Sequence, residues 1–394
     1  MSSTETIQQR YYELDWLRVI AIIILLFYHV GMIFVSWDWH IKNDQTSESL
    51  ENVMIWFHLW RMPLLLFISG AGTRFALGCK TPRQYLKERG KRLLIPLIFG
   101  ILVIVPPQIY FEKIELYHSF WAFYPTIFEF VPYPKGNFSW HHLWFILYLF
   151  VFSSISLPLF LTLRKSNASS FFNLCASIFT KKGGLLLPLI PIAICYLLLK
   201  PIFPEETHAL INDWTFFVFY LFFFLFGYLL YGDQRLWQAI KEQRHFNIIV
   251  AIACTVSFYL SDWTVAEQQV YLMALLRTLK VAVSWTWVIS IVGYGRQYLC
   301  FNHPLLKYSN EAIYPFYILH QTVIVVVGYY VIKWASNPWV KYAVVATLSF
   351  IISVGIYELL VKQFNVTRFL FGLKLIRAQI HQQPDTTLLV RENR

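Results

Sequence analysis

Ten stretches of about 18 to 25 mostly apolar residues constrain the fold of this chain more than any other feature. A helix of about 20 apolar residues is long enough to cross the hydrocarbon core of a bilayer. The composition agrees, since 57% of the residues are hydrophobic and only 14% are charged. The pattern predicts an all-α fold, a polytopic transmembrane helix bundle of about ten spans. The stretches lie at 16–36, 54–77, 93–111, 142–163, 185–203, 214–232, 246–262, 271–294, 312–334 and 340–361.

The charged residues of the connecting segments predict how the bundle is oriented. The segment after the second stretch has the densest basic cluster of the chain, and the segments after the fourth and sixth stretches and the C-terminal tail are also basic. Cytoplasmic loops carry an excess of lysine and arginine, so these segments and both termini are expected to be cytoplasmic. The net charge of +11 therefore indicates topology rather than a nucleic-acid partner.

The segments between the apolar stretches are too short to fold as a separate catalytic domain. We predict one membrane-embedded domain over residues 1–379 and a short polar tail over 380–394, which is expected to be disordered. The five cysteines are scattered without metal or redox spacing, and no metal site is expected. The sequence leaves the oligomeric state open.

The first apolar stretch carries three ionisable residues on one predicted helical face. Arg18 and His29 are separated by about three helical turns, roughly 16 Å along the axis. Asp15 lies three residues before Arg18, where it can pair with the guanidinium. Taken singly, Arg18 can be an interfacial anchor and His29 a packing residue. Ionisable groups are costly within a membrane, however, and their shared face favours a functional site.

The second stretch contains an arginine and a proline at a depth that is unfavourable without polar partners. Arg61 lies several residues inside the predicted outer edge, and Pro63 leaves a backbone carbonyl without its helical donor. Further along the same stretch, Ser69 and Gly70 are small, which favours close helix packing.

Three histidines lie in or beside later spans. His141 and His142 open the fourth span, and adjacent residues of a helix point to different faces, so at most one of them is expected to face the bundle. His320 lies in the ninth span, where a core-packing role and a site role are both open.

Some classes of protein are disfavoured by what the sequence lacks. The predicted spans contain almost no carboxylate apart from Glu358, whereas ion-coupled carriers usually need intramembrane acids. There is no phosphate-binding glycine-rich loop and no nucleophile elbow. The aromatic-rich segment 112–141 is typical of a membrane interface, and a platform for stacking sugar rings is the alternative.

Taken together, these residues resemble acyltransferase family 3, which comprises integral membrane O-acyltransferases of bacteria and some eukaryotes. The resemblance begins with Arg18 and His29, separated by ten residues on the first span, and the ten-span count fits that fold. It covers most of residues 11–335. The further motifs are Arg61-Met62-Pro63 through Ile68-Ser69-Gly70, Arg89-Gly90-Lys91-Arg92 through Pro96, His142-Leu143-Trp144-Phe145, and Ile318-Leu319-His320.

Additional motifs resemble the branch of this family that adds succinyl groups to osmoregulated periplasmic glucans. They are Trp39-His40-Ile41 with Asn43, Ile356-Tyr357-Glu358, and Phe369-Leu370-Phe371-Gly372. The donor acid and the acceptor sugar stay open, and O-acetylation of a surface polysaccharide or lipid is a second possibility. A glycan or lipid carrier, or flippase, is the alternative from another class of protein.

The resemblance implies a protein of the bacterial inner membrane that uses acyl-CoA as a co-substrate, with no permanently bound cofactor. Acyl-CoA would approach from the cytoplasm and a glycan hydroxyl from the outside. His29 would act as the base, or form a transient acyl-histidine. Arg18, oriented by Asp15, would stabilise the oxyanion or bind a donor phosphate.

The remaining predicted site residues divide between the two substrates. Arg89, Lys91 and Arg92 would bind the CoA phosphates, although the same residues can simply be a topology signal. Arg61, His142 and His320 would bind the acceptor.

Overall fold

The computed structural model describes residues 11–165, 168–261 and 269–376. Within these ranges the chain is helical, and its one strand-like pairing is an isolated bridge between Pro132 and Phe138. The all-α prediction is confirmed, whereas the predicted tail at 380–394 lies outside the described residues. The helices are α1 Tyr12–Gly31, α2 Glu48–Cys79, α3 Pro82–Glu112, α4 His141–Ile155, α5 Leu157–Thr162, α6 Ser169–Phe179, α7 Gly184–Leu199, α8 Trp214–Leu230, α9 Gln234–Glu242, α10 Arg244–Leu260, α11 Val270–Tyr298, α12 Pro304–Val331, α13 Pro338–Val361 and α14 Asn365–Leu370.

Six of the described helices are long and apolar enough to cross a membrane: α1, α2, α3, α11, α12 and α13. The count rises to eight if two pairs, α6 with α7 and α8 with α9, each form one span, although each pair is bent by 109°. Two of the ten predicted spans correspond to α4 and α10, which are apolar but shorter than 18 residues. The chain is therefore an integral membrane protein with six to eight candidate spans, and the count of ten and the location of the termini stay predictions.

Helix starts follow local capping chemistry. Thr81 and Gln84 form a capping box at the start of α3, with Pro82 at its first position. The basic segment after α2 is therefore helical rather than a loop. Helix α3 begins at Pro82, and its first turns carry the basic residues. The same arrangement of a capping residue followed by proline begins α13, at Asn337 and Pro338.

Helix α1 lies at the centre of the bundle, packed by α2, α11, α12 and α13. Helix α2 runs unbroken through Pro63. Helix α11 likewise continues through Arg277 and Lys280.

Small residues allow α2 and α8 to approach each other closely. A Cβ at Gly70 would lie 1.9 Å from the carbonyl oxygen of Phe224, and a Cβ at Gly227 would lie 2.0 Å from that of Phe67. These distances are far inside van der Waals contact, so each position requires glycine. The predicted packing role of Gly70 is confirmed.

Candidate active site

One end of the bundle contains a cavity of about 880 Å³. Its walls come from α1, α2, α4, α8, α10, α11 and α12, together with the connections after α1, α3 and α7. We call this the aromatic end, because the segment after α3 that covers it is rich in exposed aromatic side chains such as Trp121 and Phe130. The opposite end, which contains Arg18, Arg89 and Arg92, is called the basic end.

His29 reaches this cavity from the last turn of α1 and contacts a second histidine. Its Nδ1 lies 2.9 Å from Nε2 of His320 on α12, and the two rings are stacked. Nδ1 of His320 lies 2.6 Å from the carbonyl oxygen of Tyr317. A carbonyl only accepts, so His320 carries its proton on Nδ1 and the neutral ring accepts through Nε2. His29 therefore donates from Nδ1, and its Nε2 is left with a lone pair.

His142 packs beside this pair. Its ring lies edge-on to His320, with ring centroids 5.4 Å apart, and its Nε2 donates to the carbonyl of Ile318 at 3.0 Å. Tyr317 donates its hydroxyl to the carbonyl of His142. These contacts link the start of α4 to α12 and fix the place of His320.

The expectation that at most one of His141 and His142 faces the bundle is wrong, because both line the cavity. The two residues lie in a turn of 3-10 helix rather than in an α-helix, and His141 has a positive φ of 36°. This left-handed backbone is uncommon for a residue with a side chain. Helical periodicity therefore does not apply at this position.

Arg61 lies in the cavity wall on α2, only 7% exposed. Its guanidinium stacks on the ring of Tyr28, with Cζ 3.4 Å from the ring centroid, and Nη1 lies 3.4 Å from Nδ1 of His58. Its buried Nε has no hydrogen-bond partner in the described part of the chain. Arg61 also acts electrostatically on His29, so a cation lies beside the histidine pair.

Glu206 reaches the same wall from the connection after α7. It accepts hydrogen bonds from His58 and His208, each at 3.1 Å, and from the hydroxyl of Tyr220 at 2.6 Å. Burial alone raises the pKa of this carboxyl, but His58 and His208 outweigh burial and bring its pKa well below the ordinary value. Glu206 is therefore a carboxylate at neutral pH, and it orients His58 towards Arg61.

The basic end contains a second group of predicted residues. Arg18 donates to Asp15 at 3.3 Å, as the spacing predicts, and Arg89 and Arg92 also act on Arg18 electrostatically. Arg89 is held by hydrogen bonds to Thr73 at 3.0 Å and Tyr85 at 3.2 Å. Arg18, paired with Asp15, therefore has two further arginines close enough to repel it, and this excess of positive charge is suited to an anion.

Lys91 is exposed on the first turns of α3. It is not among the charges that act on Arg18, which are those of Asp15, Arg89 and Arg92.

The structure divides the predicted site residues between the two ends. His29, Arg61 and His142 line the cavity, and His320 lies directly behind His29. Asp15, Arg18, Arg89 and Arg92 lie at the basic end, about 16 Å along α1 from His29.

Sequence reasoning missed several residues of the cavity wall. Glu206 comes from a connection whose sequence gives no periodic signal, so its approach to His58 depends on the tertiary fold. Lys280 did carry a signal, because a lysine within an apolar stretch needs a polar environment, and it lines the cavity.

The fold and the cavity define a class of protein that the comparisons with known proteins identify. The sequence profile described as Acyltransferase domain matches residues 11–358. The chain therefore belongs to this acyltransferase family, and it is a membrane O-acyltransferase. No solved structure matches the chain.

Among individual relatives, the chain is similar to Glucans biosynthesis protein C of several enterobacteria. The protein of Escherichia coli O157:H7 (strain EC4115 / EHEC) is 24% identical over 393 residues, covering 93% of this chain and 95% of the relative. The proteins of Escherichia coli (strain K12) and Shigella dysenteriae serotype 1 (strain Sd197) are 24% identical over 391 residues, with the same coverage.

Proposed function

We propose that this protein transfers an acyl group, succinyl or acetyl, from cytoplasmic acyl-CoA to a hydroxyl group of a periplasmic glucan. The observation that carries the proposal is the His29–His320 pair, which leaves Nε2 of His29 unprotonated beside a cavity large enough for a sugar. The name of the relatives supports a glucan as the acceptor. A bacterial inner membrane is the compartment in which acyl-CoA and a periplasmic glucan can reach the same bundle.

The proposed reaction uses His29 as the general base. The acceptor oxygen attacks the thioester carbonyl carbon while its proton passes to Nε2 of His29. The tetrahedral intermediate then collapses, the carbon–sulfur bond breaks, and the proton on His29 passes to the departing thiolate. His320 accepts from Nδ1 of His29 throughout, which keeps the base in the reactive tautomer. The same lone pair on Nε2 also suits a transient acyl-histidine, so both routes stay open.

Arg61 is better placed than Arg18 to stabilise the oxyanion. The oxyanion donor must lie about 3 Å from an oxygen whose attacking nucleophile also contacts His29. Arg18 is about 16 Å from His29 along α1, whereas Arg61 lies in the same cavity wall as His29. We therefore assign the oxyanion role to Arg61.

The basic end is assigned to the CoA phosphates. Arg18 is paired with Asp15, and Arg89 and Arg92 add positive charge beside it, so the cluster has charge left for an anion. The pantetheine arm of CoA would then run along α1 towards His29. Lys91 is exposed and would contribute only at the rim of this cluster.

The proposal is tested with purified protein in nanodiscs, to which succinyl-CoA and a glucan acceptor are added. Release of free CoA thiol and the mass of the product glucan are measured. We expect acceptor-dependent thiol release that falls by a factor of about 10² to 10⁴ in His29→Ala, because a positioned base contributes that much. Arg61→Lys is also expected to lose activity, because lysine keeps the charge but not the planar fork.

His118→Ala is the matched control, since His118 is exposed and lies outside the cavity. Its activity is expected to equal that of the wild type. Transfer at the wild-type rate by a folded His29→Ala variant would remove the base assignment. A wild-type protein that moves glucan across the membrane without releasing thiol would instead be a carrier.

A further inference from the structure

Three side chains from separate segments converge beside the cavity, on the wall away from Arg61. They are His40 from the connection after α1, Glu112 from the end of α3, and His141 from the start of α4. Nδ1 of His40 is hydrogen-bonded to Oε2 of Glu112, and the rings of His40 and His141 have centroids 4.6 Å apart. One donor atom from each of the three lies within 4.8 Å of the others.

His141 has one ring nitrogen that the described part of the protein does not use. Its Nδ1 lies 3.0 Å from the hydroxyl of Ser139, whereas its Nε2 is buried and has no hydrogen-bond partner there. A buried polar atom without a partner is unfavourable, so an unpartnered nitrogen in a polar cluster points to a ligand. With Nδ1–H donating to Ser139, Nε2 is a neutral imidazole nitrogen of the kind that binds metal ions.

Each of the three side chains also has an outer partner that fixes its orientation. Tyr133 donates to Oε1 of Glu112 at 2.7 Å, which leaves Oε2 for a ligand. The amide nitrogen of Gln321 lies 3.2 Å from Nε2 of His40 and also donates to Gln108 at 3.0 Å. With a metal on Nδ1 of His40, the amide would have to turn so that its oxygen accepts from Nε2–H. Such outer hydrogen bonds orient first-coordination residues in metal sites.

We infer that His40, Glu112 and His141 bind one divalent transition-metal ion, for which Zn²⁺ is the best fit. Two histidines and one glutamate form a ligand set that zinc accepts, with the fourth position left to water or substrate. Zinc–ligand bonds of about 2.0 to 2.2 Å place the ligand atoms roughly 3.3 Å apart, so small side-chain rotations complete the geometry. The ion would take the place of the His40–Glu112 hydrogen bond.

The location gives the ion a role beyond the proposed acyl transfer. His40 and His141 line the cavity, so an ion held by them would border the space in which the proposed acceptor would lie. The ion would also tie together three segments that close the aromatic end. The spacing of the ligands did not reveal the site, because each one comes from a different segment of the chain.

The test uses the full-length protein without a polyhistidine tag, stripped with a chelator, desalted and titrated with Zn²⁺. We expect about one zinc per chain by mass spectrometry, and a midpoint of thermal unfolding that rises with zinc concentration. His141→Ala is expected to bind at least about tenfold more weakly. Co²⁺ should give the visible bands of a tetrahedral site in the wild type and lose them in this variant.

Ser139→Ala keeps all three ligands and removes a hydroxyl that contacts both Nδ1 and the backbone N–H of His141. Its unfolding midpoint without zinc, compared with that of the wild type, controls for a change in the fold. A loss of about tenfold in zinc affinity is expected for it, and none for His118→Ala. A wild-type protein that retains no zinc overturns the inference. Zinc binding that is equal in the wild type, His141→Ala and Ser139→Ala also overturns it, because the ion would then be adventitious.

Discussion

The reactivity assigned to His29 depends on where protons lie on its neighbours. The carbonyl of Tyr317 accepts a hydrogen bond from Nδ1 of His320 and so fixes the proton of His320 on that nitrogen. Nε2 of His320 in turn accepts a hydrogen bond from Nδ1 of His29. Two buried contacts on α12 thus determine which nitrogen of a residue on α1 can act as a base. His320 is 0% exposed and is not among the residues that line the cavity, which favours a positioning role, whereas the acceptor-binding role stays a prediction from the sequence.

His320→Leu is expected to lower kcat by a factor of about 10² or more while KM for acyl-CoA stays unchanged, because the tautomer of His29 is no longer fixed. His320→Gln keeps an acceptor near the position of Nε2 and should recover part of the loss. Steady-state kinetics on both variants checks this expectation. Equal losses in the two variants, or a change confined to KM, would contradict a positioning role.

Glu206 provides a prediction about pH. Its pKa lies well below the ordinary value of 4.5, because His58 and His208 outweigh the effect of burial. The ionised carboxylate therefore stabilises the fold above about pH 4.5, and this contribution is lost as the pH falls further. Glu206→Gln is expected to cost about 1 to 3 kcal/mol of stability at neutral pH.

The difference in unfolding midpoint between the wild type and Glu206→Gln should shrink as the pH falls below 4.5. Thermal unfolding across this pH range measures the difference. Glu129→Gln, at an exposed acid in the segment after α3, is the matched control and should show little change at any pH. A difference that is independent of pH would show that the charge of Glu206 does not carry the effect.

At the scale of the elements, the contact between α2 and α8 is set by backbone rather than by side chains. Gly70 and Gly227 each face a carbonyl oxygen of the partner helix at a distance that admits no Cβ. The same α2 helix presents Arg61 and His58 to the cavity, so this close contact helps to position these two side chains.

Gly70→Ala is expected to destabilise the protein by about 1 to 3 kcal/mol, because a backbone carbonyl cannot move aside as a side chain can. Gly78→Ala is the matched control on the same helix, since a Cβ there meets nothing within 4 Å. Its midpoint should be unchanged or slightly higher, as alanine favours helix. Thermal unfolding of the two purified variants measures the difference in stability. Equal unfolding midpoints for Gly70→Ala and Gly78→Ala would contradict the packing argument.

For the whole molecule, the separation of the two ends is the feature on which the proposed chemistry rests. The basic end holds three arginines and the aromatic end holds the cavity, with α1 running between them. The distribution of lysine and arginine predicts that the basic end faces the cytoplasm. A donor and an acceptor from opposite sides of the membrane could then meet at His29.

Cysteine labelling in intact cells tests this orientation. In a variant without the five native cysteines, Trp121→Cys at the aromatic end should react with a membrane-impermeant maleimide added from outside. Lys181→Cys, in an exposed basic segment, should react only after the membrane is opened. The reverse pattern would invert the topology and would assign the cavity to the cytoplasm.

The sequence by itself determined the helical class, most of the helix positions and the pairing of Asp15 with Arg18, because apolar length, capping residues and helical spacing are local properties. It also singled out His29, Arg61 and His320, since an ionisable residue in an apolar stretch is conspicuous wherever the chain places it. It did not predict that α3 begins at Pro82, or that His141 and His142 both face inwards.

Only the tertiary structure decided which of these residues act together. It joined His29 to His320, which is 291 positions later in the chain. It also brought Glu206 to His58, and His40 to Glu112 and His141, from connections that carry no periodic signal. The physical reason is that hydrogen bonds between distant segments depend on helix packing, and helix packing is not encoded in the spacing of any one segment.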